Sequence, residues 1–198
     1  MNEPYEYMVV PFVEIEVRFG TLGKTFDSSI DKKYFEKIRD HLETGDWKQV
    51  TNTNTIEHCK NNLKLITDKT SYLVMKENVF KEDFQLQKYP FDVRYAVNQE
   101  FILKNTDSFD KEDACVRNKC RKSFISDNFR YDLTIVNEVQ NTVTKTKYEI
   151  EIELLINNDT VLWNKEYVND FLECKIYDLF TIVEPITRNE FTLKLIHV

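Results

Sequence analysis

The chain has 198 residues, 41% of them hydrophobic, with 14 Phe and 10 Tyr; that is enough apolar material for one folded domain with its own core and too much for a disordered chain. Its three glycines exclude a Gly-rich phosphate loop of the P-loop or dinucleotide-binding type. A net charge of −7 argues against a coat protein for RNA or DNA, which is usually basic, and no sequence-specific DNA binding is expected.

Residues 12–19 alternate: Phe12, Glu14, Glu16 and Arg18 share one face, and Val13, Ile15, Val17 and Phe19 the other. A period of two is a strand, which Gly20 is expected to end. Ser28 or Ser29 is placed to cap a helix over 31–43, where Tyr34, Ile38 and Leu42 recur at helical spacing. Strands follow near 55–59, 62–67, 71–79, 92–103, 117–125, 129–138 and 146–156. A second helix is expected over 162–183 and a last strand over 191–196. No repeat, low-complexity tract or linker divides the chain, so residues 1–198 are expected to form a single domain. No apolar run approaches the roughly 18 residues of a membrane span, and no membrane partner is expected. Cys59, Cys115, Cys120 and Cys174 lack metal-ligand spacing and read as reduced thiols of an intracellular protein.

Charge collects on one face of these strands. Arg94, Asn98 and Glu100 share a face, as do Arg117, Lys119 and Arg121, and Arg130, Asp132 and Thr134. Lys76 lies between Met75 and Glu77 in the 71–79 strand. Two arrangements satisfy such strands. A sandwich would turn the charged faces to water; a barrel would turn them inward and cover its apolar faces with the two helices.

The most informative pattern is Glu149-x-Glu151-x-Glu153, with Ile150 and Ile152 fixing its phase. Carboxylates at i, i+2 and i+4 stand about 6.5–7 Å apart and repel unless water or a cation screens them. With Glu14 and Glu16 on a second strand, they make a donor set for Mg²⁺ or Mn²⁺, which prefer oxygen ligands. Phosphoryl transfer also needs cations on the phosphate oxygens. Arg94, Lys76, Lys119, Arg121 and Arg130 are candidates; Arg117 shares the face of Lys119 and Arg121, and Arg18 shares that of Glu14 and Glu16. Glu100 is placed to position an attacking water. On this reading the acidic strands form opposed walls of one lumen.

VEIEVRFGTL (13–22), DVRYAVNQE (92–100), RNKCRKSF (117–124), FRYDLTIV (129–136) and YEIEIELL (148–155) together resemble the triphosphate tunnel metalloenzymes. The likeness is to the metal-dependent RNA 5′-triphosphatases of fungal, protozoal and large-DNA-virus mRNA capping. It implies an α+β, mainly β fold: a closed eight-stranded antiparallel barrel with a charged interior, packed under a few helices. It implies Mg²⁺- or Mn²⁺-dependent removal of the γ-phosphate from 5′-triphosphate RNA, and NTP hydrolysis with Mn²⁺. Glu14, Glu16 and Glu153 match the metal ligands, with Glu149 and Glu151 completing the acidic strand. Arg94, Lys119, Arg121 and Lys76 match phosphate contacts, Asp132 and Thr134 match supports of that lattice, and Glu100 matches the water-positioning residue. A guanylyltransferase is the implied partner, and a nucleus or viral replication compartment the implied location. Two alternatives stand beside this reading. One is a tunnel enzyme for tripolyphosphate, thiamine triphosphate or NTPs outside capping, since Glu14-x-Glu16-x-Arg18 is close to the Glu-x-Glu-x-Lys of that wider group. The other is a non-catalytic β-sandwich binding subunit.

Overall fold

A computed structural model describes residues 13–186, except 87, 104, 105, 108 and 141. Phe12 and the strand expected over 191–196 lie outside the described residues.

Among the described residues, nine strands and two α-helices run in the order β1 (Val13–Leu22), β2 (Phe26–Asp27), α1 (Lys32–Leu42), β3 (Gln49–Lys60), β4 (Leu63–Thr67), β5 (Ser71–Phe84), β6 (Asp92–Leu103), β7 (Cys115–Ile125), β8 (Phe129–Gln140), β9 (Val143–Leu154) and α2 (Lys165–Val183). The sheet order is β2-β1-β6-β5-β4-β3-β7-β8-β9, and β9 also pairs with β1. That last pairing joins the two ends into a closed, wholly antiparallel barrel of eight strands, with β2 as an extra edge piece on β1. Closure decides against the sandwich, because no second sheet exists among the described residues.

The alternation read from sequence sets which face points out. Ile15, Val17 and Phe19 of β1, Val93, Tyr95 and Val97 of β6, Tyr131 and Leu133 of β8, and Ile150, Ile152 and Leu154 of β9 form one buried cluster. Phe35, Ile38 and Leu42 of α1 and Val168, Leu172, Ile176, Leu179 and Phe180 of α2 cover it. The helices therefore pack on the outside of the β6-β1-β9-β8 wall and force the charged faces of these strands, even-numbered in β1, β6 and β8 and odd-numbered in β9, into the lumen. On the far side, Leu65 and Leu73 point outward beneath Phe109. Of the aromatic residues of α2, Phe180 is fully buried, whereas Tyr167 is 53% exposed.

Several local features differ from the sequence reading, among them β3, which starts at Gln49 and not near residue 55. Gly20 does not end β1; the strand runs on to Leu22, and a Cβ at Gly20 would collide with the backbone carbonyl of Asp27 as β2 folds back. Asp31 caps α1 by accepting from the backbone N–H of Lys33 at 2.9 Å. Ser28 and Ser29 instead reach β9, where the Ser28 hydroxyl donates to Glu149 at 3.1 Å and the Ser29 hydroxyl accepts from the backbone N–H of Tyr148 at 3.2 Å. Finally, β5 continues past residue 79 through a bulge between Asn78 and Phe80. The extra residue reverses the side-chain phase, so Asn78 and Lys81 both line the lumen.

Candidate active site

The barrel encloses a cavity of about 600 Å³. Glu14, Glu16, Arg18, Lys76, Arg94, Glu100, Arg117, Lys119, Arg121, Arg130, Glu149 and Glu151 all bound it. Asp132 and Thr134, each 1% exposed, stand behind this lining, as does Glu153. All fifteen candidate residues therefore belong to one lumen or the shell supporting it. Sequence alone missed Glu57 and Lys81 in the lining and Asp83 behind Arg94.

The acidic strands are not opposed walls. β1 and β9 are hydrogen-bonded neighbours, with Glu16 directly across from Glu153 and Arg18 across from Glu151. Side chains opposite each other on paired strands are about 4.5–5.5 Å apart at Cβ. This brings the two carboxylate sets closer than opposed walls would. The Arg18 guanidinium lies 2.8 Å from Glu16 on its own strand and 3.0 Å from Glu151 on β9. The Lys76 ammonium contacts Glu14 and lies 3.5 Å from Glu16 and 3.3 Å from Glu100. Asn98 donates to Glu16 at 2.7 Å. Glu16 is only 2% exposed, so three side chains satisfy a carboxylate that would otherwise be costly to bury.

The basic strands carry a second lattice. Arg121 bridges Asp132 at 3.0 Å and Glu151 at 3.2 Å, and donates to the Thr134 hydroxyl at 3.1 Å. Arg130 bridges Asp132 at 2.9 Å and Glu153 at 2.5 Å. Ser123 donates to Asp132 at 2.5 Å. Arg94 is clamped by both oxygens of Asp83, at 2.6 and 2.9 Å, and sits over the Phe26 ring. Toward the other end, Arg117 pairs with Glu149 at 2.6 Å, and Lys119 pairs with Glu57 at 2.9 Å. Glu149 is four residues from Glu153, about 13 Å along the strand, and is engaged by Arg117 and Ser28.

The surroundings shift two neighbouring carboxylates in opposite directions. Burial would raise the pKa of Glu151, but Arg18, Arg121 and Lys119 outweigh it and hold the carboxyl well below its usual range. Burial pushes Glu153 up, to about 8; Arg130 opposes the rise, and Glu14, Asp132 and Glu16 add to it. Around Glu153 there is thus more negative charge than the neighbouring cations neutralise, the condition a bound cation relieves. Among the described residues no three His, Cys, Asp or Glu side chains already converge on one point; the carboxylates turn toward Lys76, Arg18 and Arg130. The donor set is nonetheless all oxygen and carries surplus negative charge, which suits a hard divalent ion.

Lys119 shows the reverse effect. Burial lowers its pKa, Glu57 opposes this, and Arg117, Lys64 and Arg121 add to the lowering. Glu57 therefore favours the charged form of a buried ammonium inside a cationic wall. Removing its charge by Glu57→Gln is expected to move the alkaline limb of the pH–rate profile to lower pH, because Lys119 then loses its proton sooner. Profiles of kcat/KM against pH for both proteins check this, and an unmoved limb would show that Glu57 does not govern Lys119.

Comparison with known proteins agrees with this geometry. The family model described as mRNA capping enzyme, beta chain, the mRNA triphosphatases, matches residues 30–167, more than half of the chain. The chain belongs to that family. It is thus an RNA triphosphatase of mRNA capping, a family whose chemistry uses a divalent metal. The match begins after β1, so the placement of Glu14 and Glu16 beside the family's other strands rests on the closure of the barrel. The fold is that of the Pct1 RNA triphosphatase of S. pombe, at a TM-score of 0.72 and 16% identity over 89% of this chain and 88% of that one. The Mimivirus capping enzyme triphosphatase is similar, at a TM-score of 0.62 and 17% identity over 90% of this chain and 92% of that one. Pct1 in complex with the Spt5 CTD superposes at a TM-score of 0.64 and 14% identity, over 91% and 86% of the two chains. A search of curated proteins returned no sequence match.

Proposed function

We propose that this triphosphatase removes the γ-phosphate from 5′-triphosphate RNA inside the barrel, with Mg²⁺ or Mn²⁺ held by Glu14, Glu16 and Glu153, and that it hydrolyses NTPs with Mn²⁺. The observation that carries this reading is the register of Glu16 opposite Glu153 on adjacent lumen-facing strands, beside a wall of Arg and Lys. A divalent ion at these carboxylates would neutralise charge on the transferring phosphoryl group.

The other steps belong to the chain's own side chains. Arg121, Lys119, Lys76 and Arg94 bind non-bridging phosphate oxygens and orient the triphosphate along the lumen. Arg18, Arg117 and Arg130 hold the carboxylates in place and add positive potential. Asp132 and Thr134 fix Arg121 and Arg130 from behind. Glu100, 37% exposed at its side chain and beside Lys76, orients a water in line with the γ-phosphorus and takes its proton. The water oxygen bonds to that phosphorus while the bridge to the β-phosphate breaks. The bridging electron pair leaves with the β-phosphate, giving 5′-diphosphate RNA and inorganic phosphate. A diphosphate end is what a guanylyltransferase accepts, which makes such an enzyme the proposed partner and a nucleus or viral replication compartment the proposed location.

A γ-phosphate release assay with triphosphate-ended RNA, NTPs and inorganic tripolyphosphate tests this. The expected result is metal-dependent release with kcat/KM highest on RNA ends. Equal or better hydrolysis of tripolyphosphate would instead support a tunnel phosphohydrolase unconnected to capping.

A further inference from the structure

The lumen is lined mainly by charged and polar side chains, and among the described residues Tyr72 is the one aromatic in that lining. It stands near the start of β5, directly across from Ile66 of β4, and both side chains bound the cavity. Tyr72 is 36% exposed, so its ring is available to a ligand and is not packed into the core. It shares the inward phase of Lys76, four residues further along β5, about 13 Å away. That separation is within reach of a triphosphate and its sugar. The charges that act on its hydroxyl are those of Asp68, Glu57, Glu100 and Arg121, so the ring stands beside the phosphate-binding wall. Ile66 offers phosphate no hydrogen bond, and Tyr72 offers it a single hydroxyl. The Tyr72 ring does offer a flat apolar surface to a nucleobase, which stacks on an aromatic ring whatever its sequence.

We infer that Tyr72, backed by Ile66, is the platform that stacks on the base of the 5′-terminal nucleotide and so makes the tunnel prefer nucleotide-linked triphosphates over inorganic tripolyphosphate. This rests on the function proposed above and adds to it a specificity residue. Tyr72 touches the nucleoside and not the reacting atoms, so its removal raises KM and leaves the chemical step alone.

The test compares kcat and KM of the wild type, Tyr72→Ala, Tyr72→Leu and Tyr72→Phe on triphosphate-ended RNA, ATP and tripolyphosphate. Tyr72→Ala is expected to raise KM for RNA and ATP about tenfold, equivalent to roughly 1.4 kcal/mol and within the range for truncated stacking rings. Its kinetics on tripolyphosphate stay unchanged. Tyr72→Phe keeps the wild-type values, because the ring and not the hydroxyl stacks, and Tyr72→Leu falls between. Equal loss on all three substrates, or no loss on any, overturns the inference while leaving the enzyme reading intact. A wild type inactive on all three overturns both.

Discussion

Glu16→Gln and Glu153→Gln are each expected to lower metal-dependent γ-phosphate release by more than about 100-fold, since losing even an outer-shell partner of a metal site typically costs 10–100-fold. The two substitutions keep side-chain shape and remove charge. Glu16 is the more constrained of the pair. It accepts from Asn98 and lies between Arg18 and Lys76, so Gln there also loosens the two cations that face it. Glu153 has Arg130 as its partner, with Glu14, Asp132 and Glu16 adding to its unfavourable charge. Neutralising Glu153 relieves that repulsion, and the metal-free variant is expected to melt no lower than the wild type. Loss of activity without loss of stability is the outcome that marks a ligand. Phosphate release at saturating Mn²⁺, together with a thermal melt in chelator, measures both. Retained activity in both variants would remove these residues from the metal site.

Asp132→Ala is expected to destabilise the fold by about 3–5 kcal/mol, the usual cost of breaking a buried ion pair from one side. Asp132 is 1% exposed and is held by Ser123, Arg121 and Arg130. Without it, two guanidiniums face each other across the lattice with Glu151 and Glu153 as their remaining acidic partners. For a chain of this size each kcal/mol moves the melting temperature by roughly 2–4 °C, so a fall of roughly 6–20 °C is expected. Asp132→Asn, which still accepts from Ser123, costs less. Denaturant or thermal unfolding of the two variants checks this. A melting temperature unchanged in Asp132→Ala would show that the lattice does not depend on this carboxylate.

The sequence shows the barrel wall wherever strands alternate strictly. β1, β6, β8 and β9 pair a charged lumen face with an apolar face under the helices, so their phase is legible in residues such as Ile150 and Ile152 against Glu151. β3 is not. Its first half, Gln49 to Asn54, carries Thr on one face and Asn on the other, and Val50 and Ile56 on its outer side stay exposed. Glu57 was missed for the same reason. The inward phase of Thr53, Thr55 and Glu57 is the signal that could have found it, but Ile56 on the outer face reads as core. The bulge in β5 hid Lys81 and Asp83, since a strict period of two carried past Asn78 puts them on the wrong side. Barrel closure sets the contact between β1 and β9 that brings Glu16 to Glu153. Alternation within each strand says nothing about which strands are neighbours, and so the acidic strands read as facing walls.

The most direct test of the metal site is a crystal structure of the protein with Mn²⁺ and sulfate. We expect an anomalous Mn²⁺ peak at about 2.1 Å, the distance of a small divalent ion, from oxygens of Glu14, Glu16 and Glu153, with sulfate beside it on Arg121 and Lys119. Mn²⁺ bound away from those three carboxylates, with sulfate outside the lumen, would contradict it.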